Sequence, residues 1–98
     1  MKYEIKITED AKIDLSFFKK HEQKSILRHI QSQLEDEPLT PTKNKKPLRE
    51  NPIASWELRM DQVRIFYDVK QEVVTVYVIS VGKKEHNRLY IRGQEVEL

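Results

Sequence analysis

Polar and apolar residues alternate over 2–7 (KYEIKI), with Tyr3, Ile5 and Ile7 on one side. A period of two predicts a first strand. Thr8 follows as a helix N-cap, with Glu9 and Asp10 in the first turn, where the helix dipole favours carboxylates. Ala11, Leu15 and Phe18 then recur at helical spacing and predict a helix over about 8–20. A second helical pattern, over about 22–36, carries Ile26, Leu27, Ile30 and Leu34 and is ended by Pro38 and Pro41. Only His21 and its neighbours separate the two, which predicts an αα-hairpin.

Residues 38–54 hold further breakers at Pro47 and Pro52 and little periodicity, so they read as a long loop, of the kind that often carries function. From residue 55 the period returns to two. Trp56, Leu58 and Met60 alternate with Glu57 and Arg59; Val63, Ile65, Tyr67 and Val69 alternate with Arg64, Phe66 and Asp68. The stretch 73–81 (VVTVYVISV) is apolar on both faces, as a covered central strand would be. Turns at Asp61-Gln62 and at Lys70-Gln71-Glu72 join the three into an antiparallel meander. A short helix or irregular turn is expected over 84–91. The chain therefore predicts an α+β class: one domain over 1–98, in the order β-α-α-β-β-β. A helical hairpin would pack on a mainly antiparallel four-stranded sheet and cover Trp56, Leu58, Ile65, Tyr67, Tyr77 and Ile79.

Composition narrows the class. The 98 residues contain no cysteine, which excludes a disulfide scaffold, a thiolate nucleophile and a Cys-ligated zinc site. No apolar run approaches the roughly 18 residues of a membrane span, and the first residues show no signal-peptide pattern, so a cytoplasmic protein is expected. His21, His29 and His86 are too scattered for a zinc site, and no metal or other cofactor is expected. The net charge of only +2 speaks against a general polyanion binder but leaves room for a local basic patch.

Strand spacing points to where such a patch lies. Pairing across a two-residue turn sets Arg59 opposite Arg64, on the face away from the helices. Like charges so placed are destabilising. Either a polyanion sits between them, or Glu57 and Asp68 on the same face neutralise them. A three-residue turn at 70–72 would set Val78 opposite Arg64 and bring Ser80 near Arg59. Lys43, Lys45, Lys46 and Arg49 of the loop, and Lys83, Lys84, His86 and Arg88 of the tail, would converge there with Phe66 and Tyr90. Cations with exposed rings suit single-stranded RNA: charge for the phosphates, rings for unstacked bases.

The stretch from Trp56 to Tyr90 resembles the core signature of the RelE/ParE toxin superfamily, on its RelE side. The matching parts are VRIFY at 63–67, VISVGK at 78–83 and KPL at Lys46–Leu48. The resemblance implies a toxin of a type II toxin–antitoxin pair, a ribosome-dependent, metal-independent mRNA endoribonuclease that blocks translation. Its partners would be a cognate antitoxin, mRNA in the ribosomal A site and the 70S ribosome. It implies phosphate-stabilising roles for Arg59 and Arg64, a leaving-group role for Lys84, and a place near the ribose and base for Tyr90. Glu57 departs from the family's usual lysine. In such a reaction the 2′-OH attacks the adjacent phosphorus, which needs a base, cations and an acid. Glu57 and His86 are both candidate bases. A ParE-like gyrase inhibitor and an inactive antitoxin-binding relative are the alternatives.

Overall fold

The computed structural model describes residues 2–98. The strands are β1 (Glu4–Ile7), β2 (Lys45–Pro47), β3 (Trp56–Met60), β4 (Val63–Lys70), β5 (Thr75–Glu85), β6 (Arg88–Ile91) and β7 (Gln94–Val96). The helices α1 (Glu9–Leu15) and α2 (Lys20–Leu34) lie between β1 and β2. The α+β class and the leading element order match expectation. The sheet is larger: among the described residues it has seven strands rather than four, in the order β2-β3-β4-β5-β6-β7 with β1 also on β5. The long strand β5 is shared, its first half pairing in parallel with β1 and its last residues antiparallel with β6.

The added strands come from two stretches that patterning misread. Lys45–Pro47, inside the expected loop, pairs with β3; three residues are too few to show a period. The stretch 84–91 is no helix. It is a hairpin whose turn residues His86 and Asn87 both take positive φ (52° and 65°), the backbone of a two-residue hairpin turn without its usual glycine.

Thr8 caps α1 as expected, its hydroxyl accepting from the Ala11 amide at 3.2 Å. α1 is shorter than predicted and ends at Leu15. α1 and α2 cover one sheet face, where Ala11, Leu15, Ile26, Ile30 and Leu34 pack on Leu58, Ile65, Tyr67, Val76, Val78 and Val81. Leu27, expected in that stripe, is 42% exposed. Tyr77 and Ile79 do not join this core; Val76 and Val78 do. The strand connection at 70–74 contains a 3₁₀ turn (Gln71–Val73), and the β4–β5 pairing slips at Phe66/Tyr67, so Ile79 is an extra residue that shifts the alternation. Arg64 consequently faces Gly82 and Phe66 faces Ser80, not Val78 and Val76. The opposite sheet face is covered too, by Ala54, Phe66 and Leu89 with Leu48, Ile53, Ile79, Ile91 and Val96.

Trp56 is a core plug, stacked on Tyr67 with centroids 6.0 Å apart. The buried Tyr67 hydroxyl donates to the Pro38 carbonyl at 2.7 Å, and burial pushes its pKa well above the ordinary value. A folded-state pKa raised above the unfolded one contributes stability that is full below about pH 10 and is lost as pH rises through the folded value. Tyr67→Phe is expected to lose about 1 kcal/mol of hydrogen bonding at neutral pH. Its unfolding free energy should then fall less steeply than the wild type's above about pH 10. Denaturant titrations from pH 8 to 11 measure both; parallel slopes would refute the assignment.

Candidate functional site

The two-residue turn predicted at Asp61-Gln62 forms, with Asp61 at φ 52°, and it sets Arg59 opposite Arg64 and Met60 opposite Val63. Glu57, one pleat back on the same face, lies between the two guanidiniums. Its Oε1 is 3.6 Å from both Arg59 Nε and Arg64 Nε, and its Oε2 is 4.0 Å from Lys46 Nζ. The Glu57 side chain is only 5% exposed. A gap of 3.6 Å is an ion pair but too long for a hydrogen bond, and both Nε atoms are buried without a hydrogen-bond partner. Glu57 thus does what a neutralising network requires, while Asp68 does not take part: it accepts from the Ser55 amide at 2.7 Å.

Arg64 is held from two further sides. Its Nη1 donates to the carbonyls of Asp61 (2.7 Å) and Val63 (3.0 Å). Burial lowers the Arg64 pKa, Glu57 opposes that shift and Arg59 adds to it. The guanidinium remains cationic and fixed, with Nη2 outside these contacts.

Around this centre lies a cleft of about 320 Å³ whose lining includes Lys46, Arg49, Glu57, Arg64, Phe66 and Lys84. Arg64 and Lys84 also border a second depression, which His86 and Asn87 close at the hairpin tip. The sheet therefore brings cations from β2 and the loop after it, from β4 and from β5 to one continuous face. Arg49 is presented by a loop that Asn51 knots together. The Asn51 amide nitrogen donates to the Arg49 and Ala54 carbonyls, and its oxygen accepts from the Ile53 and Ala54 amides. The Asn-Pro turn signal at 51–52 is legible in the sequence, though its role in holding Arg49 is not.

Other expected members are placed elsewhere. Lys45 is buried and donates through Nζ to the carbonyls of Gln33 (3.1 Å) and Glu37 (2.8 Å), closing the C-terminal end of α2, where a cation is favoured. Phe66 is fully buried and offers no ring for stacking. Tyr90 pairs in register with Lys83, and pair partners share a face; Lys84 and Leu89 take the other one. Tyr90 and Lys83 accordingly border a different depression, with Phe17, Phe18 and Arg92. Arg88 points to Glu95 at 3.1 Å, and Lys43 is exposed beside β2.

One buried acid is not apparent from the sequence pattern. Asp14 on α1 accepts from Ser80 Oγ (2.8 Å), the Val81 amide (3.0 Å) and Arg92 Nε, tying α1 to β5 and to the β6–β7 turn. Its signal is a carboxylate three residues after Ala11, on the core side of α1.

No family model matches the chain, and no curated protein does. Among solved structures, a chain of the crystal structure of the toxin–antitoxin complex RelBE2 from Mycobacterium tuberculosis superposes with a TM-score of 0.72. That match covers 86% of this chain and 100% of the other, at 24% identity. The fold is RelE-like. In this RelE-like fold the cationic cleft occupies the sheet face opposite the two helices.

Proposed function

We propose that the chain is the toxin of a toxin–antitoxin pair and acts as a metal-independent endoribonuclease on mRNA held in the ribosome. The reading rests above all on the two opposed arginines, Arg59 and Arg64, oriented by a buried carboxylate at the edge of a cleft that Lys46, Arg49 and Lys84 make cationic. The RelE-like fold and the VISVGK stretch support it.

The 2′-oxygen attacks the neighbouring phosphorus, the P–O5′ bond breaks, and a 2′,3′-cyclic phosphate and a 5′-hydroxyl result. Arg64, already pinned to two carbonyls, meets the developing charge on the non-bridging oxygens without reorganising, the condition under which such donors are most effective. Lys84, exposed to both depressions, neutralises the leaving oxygen. We assign the proton transfer to His86, which borders the second depression beside Arg64 and Lys84; it is exposed and its backbone is held at φ 52°, a conformation that non-glycine residues adopt at a cost. Glu57 lies below the arginines and is a positioning residue.

The test is primer extension on a defined mRNA programmed into 70S ribosomes with purified protein. Cuts within translated codons, with 2′,3′-cyclic phosphate ends and unchanged by chelator, are expected. His86→Gln should lower the single-turnover rate by about 100-fold or more while leaving ribosome binding intact. Intact mRNA, with gyrase-linked double-strand breaks in DNA instead, would overturn the reading.

A further inference from the structure

The outer face of α2 carries a row of cations for which the cleft has no use. Lys20, Lys24 and Arg28 recur every four residues, advance about 6 Å per step and stay on one side of the helix. All three are exposed, and among the described residues none has a carboxylate within ion-pair distance. The single acid within α2, Glu22, is turned back to the Lys19 amide at 3.1 Å. The inner face, with Ile26, Ile30 and Leu34, packs on the sheet surface opposite Glu57 and Phe66, so the row belongs to the helical layer, across the sheet from the cleft.

The helix itself does not account for the row. Lys19 and Lys20 stand at the positive end of the helix dipole, while Glu35, Asp36 and Glu37 follow its negative end. Both placements are unfavourable, by about 0.3–1 kcal/mol per charge near a terminus. Of the row only Lys20 lies in the first turn of α2, so the dipole bears on it alone; three exposed cations, unpaired and in a straight row, fit an external polyanion with regularly spaced charges. A lipid surface fits poorly, because an interfacial helix needs a broad apolar stripe beside its cations and only Leu27 is exposed here.

We infer that Lys20, Lys24 and Arg28 form a second docking surface that grips the phosphate backbone of double-helical RNA. This inference rests on the proposed function. An RNA-cleaving cleft on one side and a duplex-binding row on the other suit a protein that works with RNA on both sides, its substrate being single-stranded and its support being structured RNA.

The experiment uses the full chain and a labelled blunt RNA hairpin of about 12 base pairs, with affinity measured from 50 to 200 mM KCl. The variant is K20Q/K24Q/R28Q, since glutamine keeps helix propensity while removing charge; circular dichroism checks its fold. Each phosphate left without its cation should flatten the slope of log K against log salt by roughly 0.9, so a slope shallower by about 2 to 3 and at least about ten-fold weaker binding at 100 mM are expected. Arg64→Ala should lower mRNA cleavage by about 10²–10³ yet retain that slope. An unchanged slope in the folded triple variant overturns the inference, as does loss of binding to phosphatidylserine vesicles with RNA binding intact. A wild type that binds the hairpin through this row but never cuts mRNA refutes the endoribonuclease reading and leaves the docking surface standing.

Discussion

Arg64→Ala is expected to lower the rate of mRNA cleavage on the ribosome by about 10²–10³, the usual cost of removing one pre-positioned donor from a developing oxyanion. The size of the effect follows from how the side chain is held. Nη1 is bound to the Asp61 and Val63 carbonyls and Nε faces Glu57, so the guanidinium has little freedom left to lose when substrate arrives. Arg64→Lys should recover only a small part, because an ammonium on a flexible stem cannot hold two backbone carbonyls and also present a planar donor to phosphate. Single-turnover cleavage at saturating ribosomes separates this from a binding defect. A loss confined to ribosome affinity, with the cleavage rate intact, would place Arg64 in docking rather than in chemistry.

The parts of the site that are legible in the sequence are those set by one short turn. A two-residue connection at 61–62 fixes the β3–β4 register by itself, so the Arg59–Arg64 opposition and the position of Glu57 follow from alternation alone. Parts that depend on a second turn or on the helices are not legible. The side on which Tyr90 lies is decided by the hairpin at His86-Asn87, which lacks the glycine that marks such turns. The register of β5 depends on Ile79, an apolar bulge residue in an apolar run, where nothing in the pattern betrays an extra residue. Lys45 reads as one more cation in a basic loop because its partners are helix-end carbonyls, visible only once α2 and β2 are placed together. Phe66 reads as exposed because alternation identifies two faces but does not reveal that a second layer, with Ala54 and Leu89, covers the outer one.

The same geometry makes Glu57 the position where stability and chemistry are most sharply distinguished. Glu57→Leu keeps the side chain's approximate bulk and leaves Arg59 Nε and Arg64 Nε buried, unbonded and facing each other with like charge. Breaking a buried ion pair by removing one partner costs about 3–5 kcal/mol. Arg59 and Lys46 are 39% and 49% exposed, and solvent screens their share, so about 2–4 kcal/mol is expected here. For a domain of this size that lowers the melting temperature by about 8 °C or more. The double variant E57L/R59M should recover part of the loss, because one of the two uncompensated charges leaves with its partner. A carboxylate that also moved a proton would be the same counter-ion in the folded state, so stability tests the counter-ion role and the single-turnover cleavage rate of Glu57→Gln tests proton transfer. Thermal melts of the wild type and the two variants test the counter-ion role. A lower melting temperature for Glu57→Leu that R59M partly restores identifies Glu57 as the counter-ion that holds the two arginines in place, whereas an equal or higher one refutes that role.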